Sequence, residues 1–340
     1  MPLKSYGIVV PRDKFVELYD YLISNKIINP NLRIISKNQK RIIPTTMQIN
    51  IEPYESGIFD FRTDSEGSID NILQDAVRKF TGDSQYIIHW HRMGKSLVIR
   101  STGNSSLDAY AGNEIVNRGK AISVYVSKGT VRGEKRFPEF ELIAGKEGDI
   151  EYRENGIKYI LNPTKIMISK GNINERNYLS RLKINPDRIL DMFAGIGYFS
   201  LPAAKLYPEC HITCLDINDE SLQYLRRAAI LNGIEKNMEI CNVDCRVFED
   251  ERKYSLVIMG NFKSYAYLVH ALKHIEPGSR IIMHLLLPTE KVAGAEYRII
   301  ERIKKLGHNS IVEDVHKVKS YSPHVWHISV TVFIRASQWQ

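Results

Sequence analysis

The sequence predicts an α/β protein built on a doubly wound, mostly parallel sheet with an antiparallel C-terminal edge hairpin, preceded by small α/β and α+β domains. Three observations point to it. From about residue 188, apolar runs of strand length alternate with stretches of helical spacing, which implies parallel βαβ units. The chain closes on two adjacent β-rich runs, Ser310–Lys319 and Val325–Ile334, broken only by Ser320–Pro323. The earlier half mixes short strands with isolated helices and lacks that alternation.

Taken in order, a strand over Ser5–Val10 meets Pro11, and a helix follows with Phe15, Leu18, Tyr19 and Leu22 at helical spacing. Two β runs, Leu32–Ile35 and Ile42–Pro44, flank the polar Lys37-Asn38-Gln39-Lys40. Residues 50–67 carry Pro53, Gly57, Gly67 and five acidic groups and read as a linker. A helix is expected after the Ser68 cap, with Ile69, Leu73, Val77 and Phe80 on one face. Strands over Tyr86–Trp90, Ser96–Ile99, Ala121–Val126, Glu139–Ile143 and Ile157–Leu161, with a helix near Leu107–Arg118, make an α+β middle domain. The alternating region follows. Its strands are Arg188–Met192, His211–Asp216, Met238–Cys241, Ser255–Met259 and Ser279–Leu287. Its helices are Tyr198–Leu206, Glu220–Asn232, Tyr265–His274 and Glu290–Leu306. The expected domains are therefore 1–50, 51–165 and 166–340.

The 340 residues carry 47 Lys+Arg against 39 Asp+Glu, a net charge of +8. The excess lies at the two ends: +5 in residues 1–50, −2 in 51–150 and +5 in 151–340. Such a distribution suits a polyanionic partner, although solubilising lysines would look the same. No apolar run approaches the ~18 residues of a membrane helix, and the first residues lack a signal peptide's apolar core. A soluble, cytoplasmic monomer is expected. Cys210, Cys214, Cys241 and Cys245 form two Cys-x-x-x-Cys pairs, looser than the usual zinc spacing. They read as buried structural thiols with no metal; a disulfide stays open.

The strongest local signal is Asp191-Met-Phe-Ala-Gly195-Ile-Gly197-Tyr-Phe-Ser200, between the first parallel strand and a helix. Gly195 and Gly197 let a ligand approach the backbone. Asp216 ends the next strand, where a carboxylate can take ribose hydroxyls, and Asp244 follows the third, within reach of an adenine. A nicotinamide loop would want a third glycine where Ser200 stands. Asp191 would repel a pyrophosphate but suits a cationic amino acid. The pattern resembles class I S-adenosylmethionine-dependent transferases.

The upstream run Ile166-Met-Ile-Ser169-Lys-Gly-Asn-Ile-Asn-Glu175-Arg176 extends the likeness, as do Met93–Ile99, Gly129–Gly145 and the first 45 residues. Together they resemble two sister groups: tRNA guanine-37 N1-methyltransferases and wyosine-pathway tRNA(Phe) aminocarboxypropyltransferases. The methyltransferases carry an Asn-x-Pro motif after the fourth strand; here Met259-Gly260-Asn261-Phe262-Lys263 stands there. That run and the ending Lys319-Ser-Tyr-Ser-Pro323-His-Val-Trp326-His327 are similar to the aminocarboxypropyltransferases. The N-terminal module is similar to the methyltransferases.

The resemblance implies that Ser169 and Arg176 hold the methionine end of S-adenosylmethionine, Asp216 its ribose, and Asp244 with Cys245 its adenine. It implies transfer of a 3-amino-3-carboxypropyl group to carbon 7 of 4-demethylwyosine at tRNA position 37, with methyl transfer at that nucleotide as the alternative. A silent RNA-binding module on a transferase fold is the reading from another class. Arg132, Arg136 and Lys263 are candidate contacts to the target nucleotide, and Lys37, Lys40 and Arg41 to the tRNA body. No general base is assigned.

Overall fold

A computed structural model describes residues 3–336 except 30, 38, 62–67, 83–85, 133–136, 167–171 and 183; for 129–132 and 137–139 it describes the backbone alone. The chain divides into two compact units. One comprises Met1–Trp90, Ile99–Val124 and Ile143–Gly145; the other comprises His91–Val98, Tyr125–Leu142 and Lys146–Gln340.

The first unit begins with β1 (Leu3–Pro11), α1 (Phe15–Ser24), β2 (Ile35–Lys37), β3 (Lys40–Pro44) and β4 (Glu55–Phe61), with sheet order β2-β3-β1-β4. Ile8, Val10 and Ile43 from the sheet meet Leu18 and Leu22 of α1 in a small apolar core. The expected linker is thus partly a strand. β4 pairs antiparallel with β1, from Leu3 opposite Phe61 to Val9 opposite Glu55. Gly7 permits this, because a Cβ there would stand 2.7 Å from the Phe61 ring. Helix α2 (Ile69–Thr81) starts where Ser68 accepts the Asn71 amide at 3.0 Å and stops at left-handed Gly82. Helix α3 (Ser105–Asn117) is capped by Asn104. A four-stranded sheet of order β5 (Trp90–Met93), β6 (Ser96–Arg100), β7 (Ser123–Arg132), β8 (Phe137–Gly145) has most of its residues in the second unit.

The second unit carries the hairpin β9 (Ile150–Glu154) and β10 (Ile157–Leu161), then the short helix α4 (Ile173–Arg176). Its main sheet has seven strands: β11 (Arg188–Asp191), β12 (His211–Asp216), β13 (Met238–Asn242), β14 (Leu256–Met259), β15 (Arg280–Pro288), β16 (Asn309–Ser322) and β17 (Val325–Arg335). The order is β13-β12-β11-β14-β15-β17-β16. The first five are parallel, and β17 pairs antiparallel with β15 and with β16, as the alternation predicts.

The connecting helices are α5 (Ser200–Leu206), α6 (Asp219–Asn232), α7 (Ser264–Ala271), α8 (Thr289–Val292) and α9 (Ala295–Lys305). The single helix expected over 290–306 breaks at Ala293–Gly294. Successive residues of β11 serve opposite faces of the sheet. Ile189 packs in one cluster with Leu201, Leu222 and Leu225, and Leu190 in another with Leu268, Ile299 and Val330. Burial on both faces is why these strands read as continuous apolar runs. Strand order reverses between β11 and β14, so the crevice at their carboxyl ends is where such a sheet takes a ligand.

Candidate active site

The loop from Asp191 to Ser200 is organised around two carboxylates. Asp191 is fully buried; its Oδ2 accepts the Ser200 hydroxyl at 2.5 Å and its Oδ1 the Phe193 amide at 3.2 Å. Burial pushes its carboxyl up to about 6, while the Ser200 hydroxyl and Phe193 amide act to hold it down. Asp216, at the end of β12, accepts the Gly195 amide at 2.7 Å on Oδ2 and the Asn218 amide at 2.9 Å on Oδ1. Burial raises the Asp216 carboxyl, and those amides oppose the rise. A carboxylate offers about four acceptor positions, so two stay open for hydroxyls. That fits a ribose.

Gly195 and Gly197 adopt φ of +54° and +88°, which disfavour side chains. A Cβ on Gly197 would also stand 2.4 Å from Leu225 Cδ1 and 2.7 Å from Leu201 Cγ.

Arg176 is 2% exposed. Its Nη1 lies 2.5 Å from Glu154 Oε1, and its guanidinium sits 3.8 Å from the centre of the Tyr198 ring in the glycine loop. Tyr198 in turn packs on Tyr159, and Tyr159 stacks on Tyr152. Burial raises the pKa of the Tyr152 and Tyr159 phenols, so these two rings are uncharged. Arg176 is therefore a buried residue, ion-paired with Glu154.

Asp244 follows β13, and Arg246 engages both its oxygens: Nε at 3.0 Å to each, Nη2 at 2.5 Å to Oδ2, and the backbone amide at 2.8 Å to Oδ1. Arg246 holds its carboxyl below the usual range. Cys245 is buried in the core, where burial pushes its thiol up to about 12. Lys263 is exposed in the turn after β14, its amide donating to Asn261 Oδ1 at 2.9 Å. Ser169 and Arg136 lie outside the described residues, and of Arg132 only its place in β7 is described. The four cysteines are free thiols, and no metal-binding group of His, Cys, Asp or Glu occurs among the described residues.

Residues 150–315 match the model of the TRM5/TYW2 methyltransferase domain. Over 222 residues the chain is 32% identical to the tRNA(Phe) (4-demethylwyosine(37)-C(7)) aminocarboxypropyltransferase of Methanocaldococcus jannaschii, covering 88% of that protein and 64% of this one. The chain belongs to the TRM5/TYW2 family. A sister relative is the tRNA (guanine(37)-N(1))-methyltransferase Trm5b of Pyrococcus abyssi, 31% identical over 277 residues, or 79% of this chain and 80% of that one. The fold matches the crystal structure of P. horikoshii TYW2 in complex with MeSAdo, with TM-score 0.69 at 24% identity, over 79% of this chain and all of that one.

In this TRM5/TYW2 chain the sequence reading missed a polar stripe on the edge hairpin. Residues two apart share a strand face, and Asp314 and His316 of β16, His327, Ser329 and Thr331 of β17, and His284 of β15 lie on one face by register. His284, His327, Ser329 and Thr331 are buried. Glu175 of α4 joins them: its Oε2 lies 2.7 Å from His316 Nε2, and His316 Nδ1 lies 2.6 Å from Asp314 Oδ2. Tyr178 donates to Asp314 at 2.7 Å. His284 Nδ1 and His327 Nε2 are hydrogen-bonded at 2.9 Å. Glu175 and Asp314 raise His316 to about 8, whereas burial lowers both His284 and His327. The signal available was His-x-Ser-x-Thr at alternate positions of a strand otherwise apolar up to Arg335.

Proposed function

We propose that the protein transfers the 3-amino-3-carboxypropyl group of S-adenosylmethionine to carbon 7 of 4-demethylwyosine at position 37 of tRNA(Phe), releasing methylthioadenosine. This is a step of wyosine and wybutosine biosynthesis, carried out by a cytoplasmic monomer. The observation that carries the reading is the turn after β14. It reads Met259-Gly260-Asn261-Phe262-Lys263, without the proline of the methyltransferase motif. Gly260 lies under Phe199 of the cofactor loop; a Cβ there would stand 3.1 Å from the Phe199 ring. The named activity of the M. jannaschii relative supports the same choice.

Bound S-adenosylmethionine supplies carbons activated by a sulfonium, and which one reacts depends on which is aimed at the nucleophile. Asp216 would take the ribose hydroxyls with its open acceptor positions. Arg176, a planar fork suited to a carboxylate, would take the methionine carboxylate together with Ser169. Asp191 would support the loop and the cationic end of the amino acid; Asp244 and Cys245 would line the adenine. Lys263, Arg132 and Arg136 would meet the target nucleotide. The domain spanning 1–50 would contact the tRNA body, 51–165 would form the middle domain, and 166–340 would carry the reaction.

A methyltransferase acting on guanine or a wyosine intermediate at position 37 is the second reading. It is favoured by the 31% identity to Trm5b over 79% of this chain. Incubation of wyosine-intermediate tRNA with cofactor labelled separately in the methyl or carboxyl carbon distinguishes them. Carboxyl label on the tRNA is expected; methyl label with carboxyl label lost would overturn the first reading.

A further inference from the structure

Transfer to a ring carbon creates a proton problem, and the buried histidine stripe offers its solution. As carbon 7 bonds to the transferred methylene, the sulfur–methylene bond breaks and its electron pair leaves with methylthioadenosine. Carbon 7 then carries both its hydrogen and the new substituent, on a ring with one positive charge. Aromaticity returns only when that hydrogen leaves as a proton, its bonding pair falling back into the ring.

A line of proton-exchanging side chains runs from the turn after β14 to the edge of the sheet. Phe262 of that turn packs edge-on against His327, with ring centres 4.8 Å apart. His327 Nε2 meets His284 Nδ1 at 2.9 Å, and Phe199 of the cofactor loop packs on the His284 ring at 5.2 Å. His284 Nε2 and Glu175 Oε1 stand 3.8 Å apart, and the Ser329 hydroxyl beside Glu175 helps hold its carboxyl down. Glu175 Oε2 then meets His316 Nε2 at 2.7 Å, and the His316 ring is 31% exposed. His327 Nδ1, at the inner end, is buried without a partner.

Buried polar atoms left unpaired are costly, and the two outer nitrogens of the histidine pair, His284 Nε2 and His327 Nδ1, call for an explanation. An imidazole accepts a proton on one nitrogen and releases one from the other, so a histidine pair conducts where a carboxamide cannot.

We propose that His327, His284, Glu175 and His316 form the route by which the proton shed by the target carbon leaves the site. The proposal rests on aminocarboxypropyl transfer to carbon 7. His284 and His327 act in it as positioning and relay groups, passing the proton outward to solvent at His316.

The test is steady-state turnover on tRNA bearing deuterium at carbon 7 of 4-demethylwyosine, with the full-length protein. Wild type is expected to show no primary isotope effect, because proton loss is fast. His284→Gln keeps a polar side chain but cannot relay; kcat is expected to fall about 10²-fold with KM for tRNA and cofactor unchanged. A primary isotope effect on kcat should appear with it. If His284→Gln does not fold, His316→Gln, at the half-exposed end, gives the same readout. Thr331→Val removes a partner of Tyr178 on the same face but keeps all four side chains of the line, and should leave kcat free of an isotope effect. Turnover at the wild-type rate in either histidine variant, or a loss carried by KM without an isotope effect, overturns the route. A wild-type protein that leaves no carboxyl label on tRNA overturns the reaction on which the route depends, and is seen before any variant is compared.

Discussion

Arg176 Nη1 stands 2.5 Å from Glu154 Oε1, joining helix α4 to the end of strand β9 at a site where the arginine is almost fully enclosed. Removing one partner of a buried ion pair leaves an uncompensated charge and costs about 3–5 kcal/mol, whereas replacing both by apolar groups of similar volume is often far less harmful. Glu154→Ala and Arg176→Ala should each lower the urea midpoint strongly, and Glu154→Leu/Arg176→Met should lower it by less than the two single losses added. Equal additivity in urea titrations would mean the pair is not coupled.

Gly197 is fixed by conformation and by space together. Gly197→Ala must adopt φ near +88° and displace Leu225 and Leu201, so a loss of about 1–3 kcal/mol is expected, measured by thermal or urea unfolding. Gly195 has open space, its nearest neighbour being Asp216 Oδ2 at 4.0 Å. Gly195→Ala should therefore be the milder change in stability, and unfolding curves of equal midpoint would contradict the contrast.

Asp216 ties the glycine loop to β12 and retains acceptor capacity for hydroxyls. Asp216→Ala should weaken S-adenosylmethionine binding by about 10- to 100-fold, the worth of one or two hydrogen bonds to a charged group. Isothermal titration checks it; unchanged affinity would remove Asp216 from the site.

His316 makes the fold pH-sensitive in a defined direction. Its folded value is raised from 6.5 to about 8, so its contribution to stability is complete below about pH 6.5 and lost as pH rises through about 8. The stability difference between wild type and His316→Gln should shrink as pH is raised from about 6 to about 9. A difference that grows over that range would contradict the ion pairs with Glu175 and Asp314.

Lys37 and Lys40 pair directly across the β2–β3 hairpin and are both exposed. If this face meets tRNA phosphates, log affinity should fall linearly with log salt, and each charge removed should reduce the slope by about one. Binding of Lys37→Gln/Lys40→Gln with an unaltered salt slope would place the tRNA elsewhere.

The sequence made the catalytic sheet legible because strands buried on both faces leave unbroken apolar runs, such as Leu256–Met259 between polar neighbours. β4 escaped because Glu55, Gly57 and Asp60 interrupt it, and its pairing with β1 depends on contacts about 50 residues away that no local pattern records. β9 escaped for a similar reason: Ile150-Glu-Tyr152-Arg-Glu154 holds only two apolar positions, and with it went Glu154, the partner of Arg176. The histidine stripe was invisible for a different reason. Polar residues at alternate strand positions read as a solvent face, and only the packing of Glu175 and Phe199 over His316 and His284 turns that face into an interior. Asp191, Gly195, Gly197 and Asp216 were legible because the strand–turn–helix context fixes them locally.

The most direct test of the central claim is the identity of the nucleoside released per modified tRNA. Incubated with S-adenosylmethionine and tRNA(Phe) carrying 4-demethylwyosine, the protein should yield methylthioadenosine in a one-to-one ratio with modified tRNA, measured by mass spectrometry. Release of S-adenosylhomocysteine in that ratio would contradict aminocarboxypropyl transfer and establish methyl transfer in its place.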